Sequence, residues 1–580
     1  MPLQDWIHHW EVGGGARFIK ATAAVLGFIA IAGLYDLLDY QGFANEEAME
    51  TAQLAHNLSQ GEGFTTKTVR PLSIYLLGGK APQEALPDVT NPPVYPYLLA
   101  GLMRMLPMSF TATQYWAYQP ERWIAVFNQA LFFAAIVILF LIAQRQFDDR
   151  VAWLSALLFA GTGLFWKFSA SGLSTIWVTV VFLAMFLCVA RISEGTDANR
   201  PPVGWSGLAG ALAGIGGLSR YAFAWMIVPV LFFLALGGRG LRGKHCAAAA
   251  LCFVIVMGPW VARNIALTET PFGTSGYTVI EGTPPLEGDS LERSLDPRAA
   301  FRRVEVMDVI DKFLANGRDL WQRDLPRFGG NWVTAFFLVG LLMPFQNPAR
   351  GRLRLFLLGS IVLMFIVQAL GQTHLAQDSP EINSENLLVL LAPLTFIYGA
   401  ALFYTLMDQL NLVTMDARGA IIGIFLIVMS APLLLSLAIA PPPDRNNPYS
   451  PLHIQRIARL MQAGELMMSD IPAAVAWYGN RECWWLALDD DREFFKINEL
   501  RKVHTVFLTQ RTTDDRFLSL SAKPKSWGEL FLQCEAHQEV AGNGEVPSGF
   551  PLTNAPSGFL PDQLLLSDQV RWGLSAQAEK

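Results

Sequence analysis

Charge is what this chain has least of: 16% of its 580 residues are Asp, Glu, Lys or Arg, against roughly 25% in soluble domains. With 52% hydrophobic residues beside it, that scarcity excludes an ordinary soluble enzyme. A basic excess is missing too. The 43 Lys and Arg face 49 Asp and Glu, a net charge of -6, so no nucleic-acid partner is expected. Cysteine is rare, five residues in all, and neither a CxxC pair nor a Cys/His cluster with zinc spacing occurs. The N-terminus lacks the short apolar core and small-residue cleavage site of a secretory leader, and the run from Phe18 to Leu38, preceded by Arg17 and Lys20, reads as a retained signal anchor. Heptads and solenoid periods are absent. The two halves also fail to mirror each other as in a transporter built from inverted repeats.

What the chain has is apolar length. A spanning helix needs about 20 mostly apolar residues, and such stretches recur near 18–38, 121–143, 151–170, 173–190, 205–219, 221–237, 246–263, 331–345, 353–371, 386–407 and 419–440. The expectation is a polytopic α-helical membrane protein of about eleven spans over residues 1–440, with a soluble α/β domain over 441–580. Lys and Arg gather on the cytoplasmic side. With the N-terminus inside, Arg145, Arg150, Arg191, Arg200, Arg239, Arg242, Lys244, Arg350, Arg352, Arg354 and Arg418 all fall there. The long loops 39–120, 264–330 and 372–385, and the tail from Pro441, then lie outside. This bookkeeping requires that the segment Pro93 to Leu106, short and broken by prolines, lie at the interface rather than cross.

In the tail, helical periodicity at His453 to Met461 alternates with apolar runs at Ala473 to Trp477, Cys483 to Leu488 and Val503 to Leu508, the pattern of a small α/β domain. Asp470, Trp477, Tyr478 and Arg481 read as its scaffold. Cys483 and Cys534 are the tail's two cysteines and outside the cytoplasm form a candidate disulfide; the alternative is a Cys483 buried beside Trp484 and Trp485.

The first outer loop carries the strongest site candidates. Asn45-Glu46-Glu47 opens a helix-like stretch to Gln60 that Gly61-Glu62-Gly63 ends. Glu46, Glu50, Gln53 and Asn57 share one polar stripe of it, so the helix is expected to lie on the bilayer surface with its carboxylates just above the apolar layer. Helix grammar alone explains the first turn, since Asn caps and Glu complements the dipole. Pro92-Pro93-Val94-Tyr95-Pro96-Tyr97 follows, a lone Arg220 sits between two spans, and Pro259-Trp260-Val261-Ala262-Arg263-Asn264 closes another span, all on the outer side.

In order and spacing over roughly residues 18 to 275, this set resembles the GT-C glycosyltransferases that use polyprenyl-phosphate sugars, the class of protein O-mannosyltransferases and the lipid A aminoarabinose transferase. The resemblance implies inverting transfer of a sugar from a polyprenyl-phosphate donor to a glycan, lipid or protein acceptor. It places this at the outer face of a bacterial inner membrane, with Glu46 or Glu47 as general base and Arg220 and Arg263 on the donor phosphate. Tyr95, Tyr97 and His374 become candidates for substrate binding, and the loop from Glu281 to Arg327 for shaping the acceptor's place. A divalent cation has a chemical opening at Glu46 and Glu47, but neighbouring helix residues diverge by about 100°, so no metal is expected. The chain departs from the family where Glu46 replaces its Asp, where Ser174-Thr175 offers no second carboxylate, and where Asn383-Ser384-Glu385-Asn386 occupies the place of a late Arg. A lipid-linked-sugar transporter and a non-catalytic assembly subunit stand as alternatives.

The topology is checkable without a structure. Cysteines introduced at Gly61, Ser290 and Asn447 are expected to react with an impermeant thiol reagent in intact spheroplasts, and protection of any one of them contradicts the span count.

Overall fold

The computed structural model describes residues 14–79, 86–115, 117–197, 202–236, 242–286, 288–328, 331–342, 348–410, 415–439, 448–513, 526–541, 550–556 and 563–572. Among the described residues every expected apolar stretch contains helix, but lengths are uneven. Six helices among the described residues are long and apolar enough to cross a membrane, within Phe18–Leu38, Gln119–Gln146, Thr175–Gly195, Gly243–Thr268, Pro348–Gly371 and Ala417–Ala438. The pair Asp149–Ala160 and Gly163–Ala170, bent by 56°, makes a seventh if counted as one span. The rest of the eleven are shorter: Val203–Gly217, Tyr221–Leu236, Val333–Leu342 and Pro393–Gln409. Leu26, Ile29, Val254, Ile255, Val362, Ile424 and Ile427 are exposed along these helices, the apolar outer surface a multi-pass membrane protein turns to lipid.

Small residues set how closely the helices approach. Gly210 in the helix Val203–Gly217 faces the helix Arg242–Thr268, and a Cβ there would come within 2.0 Å of the Ala249 carbonyl oxygen. This pins the two helices whose outer ends carry Arg220 and Arg263.

We label α1 the helix Glu46–Gln60 and α2 the helix Val94–Met105. The second is too short to cross a bilayer, at about 18 Å; it buries Tyr95, Leu99 and Met103 and leaves Tyr97 and Met105 exposed. Asn45 caps α1 by accepting from the Glu47 amide at 2.9 Å, and Gly61, at φ 86, closes its other end with its N–H on Asn57 and Leu58. The polar stripe does not face water as expected. Glu50, Gln53 and Asn57 are buried, as are Ala48, Ala52 and Ala55 around the rest of the helix. The reason is the chain just after α1, which folds back over the stripe: Arg70 donates to both Glu50 oxygens, Gln53 accepts from the Lys67 amide at 2.9 Å and Asn57 donates to the Thr65 carbonyl at 2.8 Å.

The outer sheet has five strands, β1 (Thr68–Val69), β2 (Leu466–Ser469), β3 (Cys483–Trp485), β4 (Val503–Leu508) and β5 (Leu564–Ser567), in the order β1-β3-β2-β4-β5. All neighbours are parallel except β4 with β5. Its edge strand β1 comes from the first outer loop, with Thr68 opposite Cys483, so the sheet crosses the expected division at 440 and 441. The disulfide does not form: both thiols are free and buried. Alternation along β3 sends Cys483 to the face packed on Trp477, while Trp484 points to the other face, where Cys534 packs with Trp527 and Phe531.

Loop 264–330 is fastened to the same sheet, with Arg293 donating to the carbonyls of Leu486 at 2.9 Å and Ala487 at 2.7 Å. At the junction, Arg70 grips Glu50 with two nitrogens at 2.5 and 2.8 Å, reaches Glu292 at 3.2 Å and lies over the Trp485 ring at 5.3 Å. Removing one partner of a buried ion pair costs about 3–5 kcal/mol, because the other charge is left unpaired. Arg70→Ala is therefore expected to destabilise the outer assembly by about that amount, and Arg70→Ala with Glu50→Gln by less than the sum of the single changes. Thermal unfolding followed by tryptophan fluorescence checks both, and strict additivity contradicts the pairing.

Candidate functional site

The start of α1 is where the membrane helices, the outer loops and the outer domain meet. Asn45 also donates to the Ile382 carbonyl at 3.1 Å, tying the helix start to the loop before residue 386. Glu47 points the same way and accepts from the Ser384 amide at 3.2 Å and from the Ser384 hydroxyl. Glu46, about 100° further round the helix, turns to the outer domain. Its Oε1 accepts from the Tyr449 hydroxyl at 3.2 Å and forms an ion pair with Arg511, while its Oε2 is buried with no hydrogen-bond partner.

Arg220 follows the glycine-rich helix Val203–Gly217 and is buried. Nη2 donates to the Thr175 hydroxyl at 2.8 Å; Nε and Nη1 are buried without a partner among the described residues. Burial draws its pKa down to about 10, against the opposing charges of Glu47 and Glu385, so it stays cationic at neutral pH. Thr175, in the Ser174-Thr175 pair that stands where a second carboxylate was looked for, is thus the hydroxyl that orients the cation.

The other expected residues are placed differently. Arg263 donates to the Asp88 carbonyl at 2.7 Å and to Asn264 Oδ1 at 2.9 Å, and its guanidinium lies over Trp260 at 4.6 Å and Phe64 at 5.4 Å. Nη1 and the ring contacts brace the loop around Asp88. Tyr95 is buried and its hydroxyl is spent on Asn128 and the Gly172 carbonyl, whereas Tyr97 is 54% exposed and stacks on Phe64. His374 is buried against Glu281 at 3.2 Å. Burial alone would lower its pKa, but the Glu281 hydrogen bond and the charges of Glu281, Glu292 and Asp289 outweigh it and raise it to about 10.

Sequence reasoning missed Ser384 and Glu385, registering that stretch only for a missing Arg. Glu385 is buried, accepts from the Thr373 amide at 2.8 Å and its hydroxyl at 2.5 Å, and burial together with the charge of Glu47 raises its pKa to about 7. A carboxylate close to Arg220 is therefore supplied from the loop after residue 371. Among the described residues no group of three or more His, Cys, Asp or Glu is arranged to hold a metal ion.

With this geometry in hand, the comparisons place the fold. The family model for dolichyl-phosphate-mannose-protein mannosyltransferase matches residues 90–262. No curated protein sequence matches the chain. Among solved structures, the archaeal oligosaccharyltransferase AglB from Archaeoglobus fulgidus, in complex with an inhibitory peptide and a dolichol-phosphate, superposes with a TM-score of 0.55 at 13% identity, over 86% of this chain and 70% of its own. ArnT from Cupriavidus metallidurans, bound to undecaprenyl phosphate, superposes with a TM-score of 0.52 at 10% identity, over 95% of this chain and 99% of its own. The architecture is the GT-C glycosyltransferase fold: a polytopic helical membrane body with a C-terminal α/β domain.

The buried acids give the outer assembly a pH signature. Burial and the charge of Glu50 raise Asp88 to about 6, and burial raises Glu292 to about 7, alongside Glu385. A carboxyl with a raised folded pKa contributes stability that is full below its unfolded value, roughly 4, and is lost as pH rises through the folded one. His374 adds a loss between roughly 6.5 and about 10. All four slopes have the same sign, so the melting temperature in detergent is expected to fall from pH 5 to pH 8; a rise across that range contradicts these environments.

Proposed function

We propose that this protein transfers a sugar from a polyprenyl-phosphate donor to an acceptor hydroxyl at the outer face of the membrane, with inversion at the anomeric carbon. The observation that carries the reading is Arg220: a buried guanidinium between the helix Val203–Gly217 and the turn Tyr221–Met226, with two nitrogens unpartnered among the described residues. A guanidinium fork matches phosphate oxygens and stays charged, and the similar structures hold dolichol-phosphate and undecaprenyl phosphate. Glu46 is the general base. Its Oε2 takes the proton of the acceptor hydroxyl, the oxygen attacks the anomeric carbon, and the bond to phosphate breaks with its electrons going to the leaving phosphate. Arg220 receives that charge.

Inversion wants the incoming oxygen opposite the leaving group. Glu46 and Glu47 split those sides, one toward the outer domain and the other toward Ser384, with its charge acting on Arg220. Glu47 orders the 382–386 loop, and Arg263 acts through Asp88 rather than on phosphate. In this reading the membrane is a bacterial inner membrane, the N-terminus is cytoplasmic, and the acceptor is a glycan, lipid or protein that approaches from outside.

In proteoliposomes with a polyprenyl-phosphate sugar, Glu46→Gln is expected to lower kcat by roughly 10²–10⁴-fold while leaving donor binding in place, and Arg220→Lys to weaken donor binding. Full turnover in Glu46→Gln removes it as the base, and loss confined to Glu47→Gln moves the role one residue.

A further inference from the structure

We propose that Arg511, supplied by the outer α/β domain, is a positioning residue for the transfer step, holding Glu46 Oε1 so that Oε2 alone faces the acceptor. The inference rests on Glu46 being the base. It goes beyond that reading by making the outer domain part of the active site.

Three observations converge on it. Arg511 Nη1 contacts Glu46 Oε1 and also donates to the Tyr449 hydroxyl at 2.7 Å, and that hydroxyl in turn donates to the same Glu46 oxygen. One carboxylate oxygen is thus held by two donors that hold each other, and the side chains of Arg511 and Glu46 are only 18% and 10% exposed. A carboxylate fixed this way cannot rotate without breaking two charge-assisted bonds in a poorly hydrated place, where such bonds are strong.

The turn that presents Arg511 has its own anchor. Arg511 lies in the 3-10 turn Gln510–Thr513 just after β4. Asp470, buried at the end of β2, accepts from the Thr509 amide at 2.9 Å, the Thr509 hydroxyl at 2.7 Å and the Thr512 hydroxyl at 2.9 Å. Three bonds from one buried acid bracket the arginine on both sides.

The two ends of the contact are also tied together elsewhere. The loop that carries Glu46 donates β1 to the sheet that carries Arg511, with the Cys483 amide on the Lys67 carbonyl at 2.8 Å. The helix Pro472–Gly479 of the outer domain packs on α1. Arg511 therefore reaches Glu46 from a frame that α1 itself helps to build, a route to holding a reacting group in place.

The test compares Arg511→Ala, Arg511→Lys, Glu46→Gln and the Arg511→Ala/Glu46→Gln double variant of the full chain in proteoliposomes, with melting temperature as the folding control. Arg511→Ala is expected to lower kcat on the order of 10²-fold, with donor KM and the affinity for undecaprenyl phosphate within about twofold of wild type. Arg511→Lys keeps the charge and recovers part of kcat; it also serves if the alanine variant does not fold. The double variant is expected to be no slower than Glu46→Gln alone, since the arginine acts through that carboxylate. Wild-type kcat in Arg511→Ala, a change confined to KM, or additive losses in the double variant overturn the proposal. Full activity in Glu46→Gln instead overturns the base assignment itself, and a dead Glu46→Gln beside an active Arg511→Ala overturns only the role of Arg511.

Discussion

A carboxylate taken out of water must find a cation or hydrogen-bond donors, and the outer half of this protein is organised around meeting that demand. Glu50 meets it through Arg70, which also reaches Glu292 and stacks on Trp485. Those four residues come from the first outer loop, the loop 264–330 and the outer sheet. The pair is weak evidence for net stability, because desolvation offsets much of the attraction. Its effect is to join the three segments: in this arrangement Glu50 and Glu292 share one cation, and that cation is capped by Trp485.

The same demand sorts the arginines. Arg70, Arg263 and Arg293 are spent on carboxylates and carbonyls that fasten loops, and Arg511 is spent on Glu46 and Tyr449. Arg220 keeps two buried nitrogens unpartnered, although Glu47 and Glu385 are close enough to act on it. In the proposed function this is the cation that meets the donor phosphate, and the charges of Glu47 and Glu385 offset its own beforehand.

The membrane body was legible because spans are local: about 20 apolar residues in a row identify a helix whatever it packs against. The α/β character of the tail was legible for a similar reason, and the runs Cys483 to Leu488 and Val503 to Leu508 contain β3 and β4. Other features were not. The strand β2 has four residues and β1 two, too few to show a period, and the polar stripe of α1 looked solvent-facing because no period in the irregular segment after it tells that Thr65, Lys67 and Arg70 fold back onto it. Arg220 and the Glu46-Glu47 pair could be picked out from their places at segment ends; Ser384, Glu385 and Arg511 could not.

The amino-acid order by itself determined which segments are helical and apolar and where acids and arginines sit at their outer ends, since period and composition act over a few turns. The tertiary structure decided which of those groups meet. Tyr449 and Glu46 lie 403 positions apart, and Glu47 and Ser384 337. Hydrogen bonds of about 3 Å depend on the crossing of helices and the docking of a sheet, and no local pattern encodes either. It decided too that Cys483 and Cys534 stay apart, because Cys483 faces one side of the sheet while the helix Trp527–Ala541 that carries Cys534 packs in the core on the other, with Trp484.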